Sequence, residues 1–170
     1  MKIVSAIALF PILLAVGSRI AAAAAVNHLP DDVRAALKEP GAFQLRAALS
    51  GIPDSVRAAF IKLTPEDSFS MAEPGARYQS TDVPLPGPPL VPGPPPSFRR
   101  LVNVALSKSF CILFYERGGI AWSAQIAVFG LTKEGAKLVW SGYSNRIIAD
   151  PAHLLTAVDQ DEIHGAVKYF

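Results

Sequence analysis

The 170-residue sequence predicts an α+β protein: short N-terminal helices, a Pro-rich linker, then a four-stranded antiparallel meander packed with a C-terminal helix. Three observations carry that expectation. Residues 28–63 hold a near-repeat in which a Pro-Asp start is followed by apolar residues four apart. Residues 98–143 hold alternating or continuous apolar runs separated by glycine-bearing turns. Ten of the fifteen aromatic residues fall within 97–170, which places the main core there.

The first 25 residues have the order of parts of an export signal. Lys2 gives a positive start, Ile3 to Val16 is almost wholly apolar, Gly17-Ser18 breaks the run, and Ala21 to Ala25 supplies small residues for cleavage after Ala25. The alternative is an uncleaved N-terminal membrane anchor. Arg19 and Pro11 argue against it, because a charge within an inserted segment costs about 2.5–3.5 kcal/mol. The expected location is therefore the periplasm or beyond, with membrane contact only during export.

Leu29-Pro30-Asp31-Asp32-Val33-Arg34-Ala35-Ala36-Leu37 matches Ile52-Pro53-Asp54-Ser55-Val56-Arg57-Ala58-Ala59-Phe60, and Leu45-Arg46-Ala47-Ala48-Leu49 is a partial third copy. Each copy predicts a short helix. Proline is harmless at a helix start, and the following Asp favours the N-terminal dipole. Val33/Leu37, Leu45/Leu49 and Val56/Phe60 then share a face. Arg34, Arg46 and Arg57 would line up as a row of cations, solvated or anion-binding.

Eight prolines lie between Pro84 and Pro96. Polyproline II is the expected state, and thirteen such residues reach about 40 Å. The tract reads as a spacer or surface wrap. Its PxxP spacing, beside Arg99-Arg100, also fits a docking peptide.

Four strands follow. Leu101 to Leu106 alternates, with Val102, Val104 and Leu106 on one face. Phe110 to Tyr115 is apolar throughout and should be covered on both faces. Gly118-Gly119 turns the chain into Ile120 to Val128, where Ile120, Trp122, Ala124, Ile126 and Val128 alternate with their neighbours. Lys137 to Tyr143 is the fourth strand, with Leu138 and Trp140 on one face. Asp150-Pro151 caps a helix carrying Leu154, Leu155 and Val158. Asp161 to Phe170 reads as a turn and a short strand over 166–170. The expected organisation is a leader over 1–25, a helical segment over 26–82, the linker over 83–97 and a sheet-plus-helix domain over 98–170.

Charge and cysteine content exclude several functions. The net charge of +2 comes from Lys2 and Arg19, leaving fourteen residues of each sign in 26–170. A neutral chain has no long-range pull on nucleic acid. A lone cysteine, Cys111, excludes an intramolecular disulfide and a Cys-rich zinc module, and its apolar strand marks it as buried and structural. Nucleophile elbow, phosphate loop and His-Glu-x-x-His segments are all missing, and no cofactor is implied. Glu116 and Glu134, the only acids in 97–149, fall at turns or strand ends.

The expected function is an exported, non-catalytic binding or protein-interaction module. Seven basic residues against two acids in 97–149 point to an anionic small molecule or a protein partner of the cell envelope. The candidate binding residues are Arg99, Arg100, Arg117, Trp140 and Tyr143. Trp122 and Trp140 also fit a core covered by the last helix. An unprotected sheet edge would allow a homodimer. The alternative is a small exported metal-binding protein or hydrolase that uses the pairs Asp150/His153 and Asp161/His164, each spaced to share a helix face.

Overall fold

The structure, a computed structural model, describes residues 28–65, 68–80, 97–119 and 121–165. The leader, most of the Pro-rich tract and the 166–170 strand lie outside the described residues. In chain order the elements are α1 (Asp31–Lys38), β1 (Gln44–Arg46), a 3₁₀ turn (Leu49–Gly51), α2 (Asp54–Ile61), β2 (Arg99–Leu106), β3 (Phe110–Arg117), β4 (Ser123–Thr132), β5 (Gly135–Ser144) and α3 (Pro151–Asp159). The class is α+β, and the antiparallel sheet has five strands in sequential order, one more than the sequence predicts.

The two Pro-Asp helices form where expected. Asp31 and Asp32 occupy the first turn of α1, which buries Val33 and Leu37. Asp54 starts α2, which buries Val56 and Phe60. The third copy is not a helix. Gln44, Leu45 and Arg46 instead pair with Leu106, Ala105 and Val104 on the outer side of β2, leaving Leu45 51% exposed. Pairing with an existing strand outweighs a four-residue spacing that lacks a Pro-Asp start. Gly51 then lets the chain fold back on itself, since a Cβ there would sit 2.8 Å from the Cβ of Arg46. The cation row does not form. Arg34 bonds Asp159 at 2.6 Å, Arg57 donates to the carbonyls of Leu49 and Ile52, and Arg46 lies on exposed β1.

β3 lies at the centre of the sheet and is covered on both faces, as its unbroken apolar run predicts. Phe110, Ile112 and Phe114 join Ile126, Val128 and Trp140 beneath Leu29, Val33 and Leu37 on one side and Leu154 and Ala157 on the other. Cys111, Leu113 and Tyr115 join Leu101, Val104 and Phe129 beneath Ile52, Val56 and Phe60. The result is three layers, with α1 and α3 on one face and α2 on the other. The 28–80 segment therefore shares both cores with the sheet.

Two bulges alter the predicted alternation. One lies between Leu101 and Asn103, so Val104 joins Leu101 on the α2 face while Val102 faces α1 and α3. In the other, Val128 pairs with Trp140 and Phe129 with Leu138, so Val139 is extra and exposed. Trp140 and Leu138 consequently lie on opposite faces, not on one. A bulge adds a residue to one strand and reverses the parity beyond it.

The flanks of the Pro-rich tract meet. Gln79 N–H donates to Ser97 O at 2.9 Å, and Gly118 N–H donates to Phe98 O at 2.8 Å. Gly118 is required there, because a Cβ would lie 2.1 Å from the carbonyl oxygen of Gln79. Among the described residues, no helix is long and apolar enough to cross a membrane.

Candidate functional site

Strand alternation divides the predicted binding residues between the two faces. Arg99 and Arg117 are direct cross-strand partners on the α2 face, and the guanidinium of Arg99 lies 5.8 Å from the ring centre of Phe60. Arg100 points to the opposite face. Trp140 is buried there with Leu154, in the core position that the sequence offered as the alternative to a binding role. Tyr143 is on the α2 face, 36% exposed, and pairs across strands with Gln125.

Arg100 is fully committed to Glu116. Its Nε donates to Glu116 Oε2 at 2.7 Å, a second guanidinium nitrogen lies 2.5 Å from the same oxygen, and Nη1 donates to Ala76 O at 3.3 Å. Trp122 Nε1 donates to Glu116 Oε1 at 3.0 Å, and the Tyr78 hydroxyl lies 3.3 Å from that oxygen. The guanidinium also stacks on Tyr78, 4.4 Å from its ring centre. Burial raises the Tyr78 pKa, with a further push from the Glu116 charge. Glu116 is the only buried carboxylate among the described residues, and all its visible partners are structural. The sequence places it at a turn or strand end, and it is the last but one residue of β3. There it faces Arg100 in the β2–β3 ladder, and Trp122 sits outside β4 on the turn where it can reach Glu116.

The α2 face carries a second polar group that the sequence reading missed. Leu101, Tyr115, Gln125 and Tyr143 form one cross-strand row, with Arg99, Arg117 and Ser123 in the next. Tyr115 is 1% exposed and packs on Phe60 at 5.7 Å. Its hydroxyl has no hydrogen-bond partner, and neither has the carbonyl oxygen of Gln125, which is 5% exposed. Gln125 Nε2 donates to Ser123 Oγ at 2.7 Å. Burial pushes the Tyr115 pKa up, while the charges of Arg99 and Arg117 pull it down. A buried polar atom without a partner is rare and costs about 1–3 kcal/mol. The two residues that carry these atoms are cross-strand partners, and the half-buried Arg117 lies in the next row on the same face. The available signal was a glutamine set between Ala124 and the apolar run Ile126 to Phe129.

The histidine pairs behave differently from each other. Asp150 caps α3, accepting from His153 N–H at 2.9 Å, and its other oxygen lies 2.7 Å from His153 Nδ1. Asp161 sits at φ 57 in the turn after α3, and the His164 ring packs on Tyr143 at 5.4 Å. Among the described residues, no group of three or more His, Cys, Asp or Glu side chains could hold a metal ion. Asp150→Ala should therefore destabilise the fold by about 1 kcal/mol through loss of the cap, seen as a lower urea midpoint, with bound metal unchanged by elemental analysis.

Cys111 is fully buried, and burial pushes its thiol up from 9.0 to about 12. The native protein should resist thiol reagents at pH 8 and react only on unfolding. Because the folded state holds this proton more tightly, its contribution to stability is intact below pH 9 and lost as pH rises from 9 towards about 12. At about 1.36 kcal/mol per pH unit the loss is on the order of 4 kcal/mol. Urea titrations in that window should show a shallower decline for Cys111→Ala.

The basic excess is dispersed. Arg146 pairs with Glu162, Arg100 with Glu116, and Lys108 and Lys133 sit on turns at the far end of the sheet. A shallow depression of about 230 Å³ at that end, lined by Gly41, Gln44, Leu106 and Lys108, is smaller than usual ligand pockets of about 300–1,000 Å³. Comparison of the chain with protein-family models, with curated proteins and with solved structures returns no match.

Proposed function

We propose that the protein is an exported, non-catalytic binding module that takes an anionic group on the α2 face of its sheet, at Arg117, Tyr115 and Gln125, with Tyr143 on the rim. One observation carries this reading: Tyr115 and Gln125, whose hydroxyl and side-chain carbonyl are buried without a hydrogen-bond partner, lie one row from the half-buried Arg117 on the same face. An anionic group bound there would accept from Arg117 and from the Tyr115 hydroxyl, and bonds to ionised groups are the stronger kind. Export is supported by the leader pattern of Lys2, Ile3–Val16 and Ala21–Ala25. The non-catalytic part is supported by Glu116, whose two oxygens are taken up by Arg100, Trp122 and Tyr78.

The test is a titration of the isotope-labelled protein with sodium acetate and with inorganic phosphate, followed by amide NMR. Shifts should concentrate at residues 115–117 and 123–125. Arg117→Ala should weaken binding by about tenfold or more while stability stays within about 0.5 kcal/mol, as expected for a half-exposed side chain. Binding that survives Arg117→Ala, or shifts centred on Lys108 and Lys133, would remove the site from this face. Export is checked by the mass of the protein secreted with its own leader, expected to start near Val26.

A further inference from the structure

We infer that the outer edge of β5 is the docking site of the chain's own residues 166–170, Ala166, Val167, Lys168, Tyr169 and Phe170, added as a sixth antiparallel strand. The two edges of the sheet differ. On one side β1 is only three residues long. The adjoining stretch of β2 is taken up by Ala72, through Ala72 N–H to Arg99 O at 2.8 Å and Leu101 N–H to Ala72 O at 2.9 Å. On the other side β5 runs for ten residues, and among the described residues its outer edge is met only at Tyr143. Unpaired N–H and C=O groups along such an edge favour the addition of a strand.

The contact at Tyr143 sets both direction and register. Tyr143 N–H donates to His164 O at 3.1 Å, and His164 N–H donates to Tyr143 O at 2.8 Å, an antiparallel bridge. Continued residue by residue, it places Ala166 opposite Ser141 and Val167 opposite Trp140. Five extended residues cover about 17 Å, the length of β5 from Ser141 back to Lys137. Tyr143 turns its N–H and C=O away from β4, so Ser141, two residues along, does the same.

The side chains alternate to match. Ile163 is 5% exposed and packs over Gly142 and with Trp140 on the α1 and α3 face. The His164 ring packs on Tyr143 on the opposite face. Counting on by twos puts Val167 and Tyr169 in line with Ile163, towards Trp140 and the 41% exposed Val139, whose Cγ1 lies over Gly130 on that same face. Ala166, Lys168 and Phe170 fall in line with His164. Val, Tyr and Phe are strand-favouring residues, and the segment holds no Gly or Pro. A second copy of the chain is the competing occupant. The tail has the advantage of being tethered at its first pair, which makes docking intramolecular and its effective concentration high.

The experiment uses the full chain carrying Ser141→Cys and Ala166→Cys. Directly opposed residues of a hydrogen-bonded antiparallel pair have Cα atoms about 5.5 Å apart, within disulfide range, and the buried Cys111 does not compete. Mild oxidation of the dilute protein should give a monomer in which peptide mapping links residues 141 and 166. A disulfide-linked dimer would overturn the inference by giving the edge to a second copy, and two free thiols would overturn it by leaving the edge open. A chain ending at Gly165 tests the same docking without new thiols. Its Ser141 amide should exchange about tenfold faster than in the full chain, measured relative to the Ile112 amide of central β3. A ratio unchanged by the truncation would also overturn the inference.

Discussion

Glu116→Ala should be among the most destabilising single changes in the protein, costing about 3–5 kcal/mol, as removal of one partner from a buried ion pair does. The Glu116 side chain is 7% exposed and that of Arg100 27%, so solvent screens the pair incompletely and the lower end of that range is expected. The loss would fall on three donors at once: Arg100, the Trp122 indole N–H and the Tyr78 hydroxyl. These tie β2, β3, the turn before β4 and the 72–80 segment together. A fall of about 10 °C in melting temperature follows for a domain of this size. Trp122 fluorescence should shift as its hydrogen bond is lost, and the Gln79 amide, bonded to Ser97 O, should exchange faster. The double replacement Glu116→Leu with Arg100→Met separates charge from packing. It should recover most of the loss, because well-packed apolar pairs often equal or exceed buried ion pairs in stability. A Glu116→Ala cost below about 1 kcal/mol would mean that the carboxylate is solvated and the cluster does not anchor the corner.

The helices and the central strand were legible in the sequence because local chemistry specified them. Pro-Asp starts set α1 and α2, Asp150-Pro151 set α3, and the unbroken run from Phe110 to Tyr115 announced a strand covered twice. β1 was not legible. Leu45 and Leu49 are spaced as on a helix, and only the ladder with Leu106, Ala105 and Val104 makes them otherwise. The two bulges were hidden for the same reason: an extra residue in a strand shows only against its partner strand. The candidate site depends most heavily on such pairings. Tyr115 and Gln125 are ten residues apart, and Arg99 and Arg117 are eighteen apart, so neither neighbour relation has a local signature. Arg100 looked free because its acid, Glu116, lies in the next strand.

Phe60→Ala should cost about 3–5 kcal/mol, the range for truncating a buried aromatic. Phe60 is 1% exposed and joins α2 to the sheet through an edge-on contact with Tyr115 at 5.7 Å and a tilted one with Phe129 at 6.5 Å, while Phe69 of the 68–80 segment packs on it edge-on at 5.6 Å. The near-repeat supplies an internal comparison. Leu45 belongs to the partial copy that became β1 and is 51% exposed, so Leu45→Ala should change stability by about 0.5 kcal/mol or less. Leu45 corresponds to Val56 of the α2 copy, so Val56→Ala beside Leu45→Ala measures by the gap in urea midpoints what docking on the sheet adds to the Pro-Asp helix. The same variant bears on the binding site. Phe60 covers the Tyr115 ring, and its loss should let water reach the buried hydroxyl. A cost below about 1 kcal/mol would show that α2 does not close this face, and the polar row of Tyr115 and Gln125 would then be an ordinary wet surface.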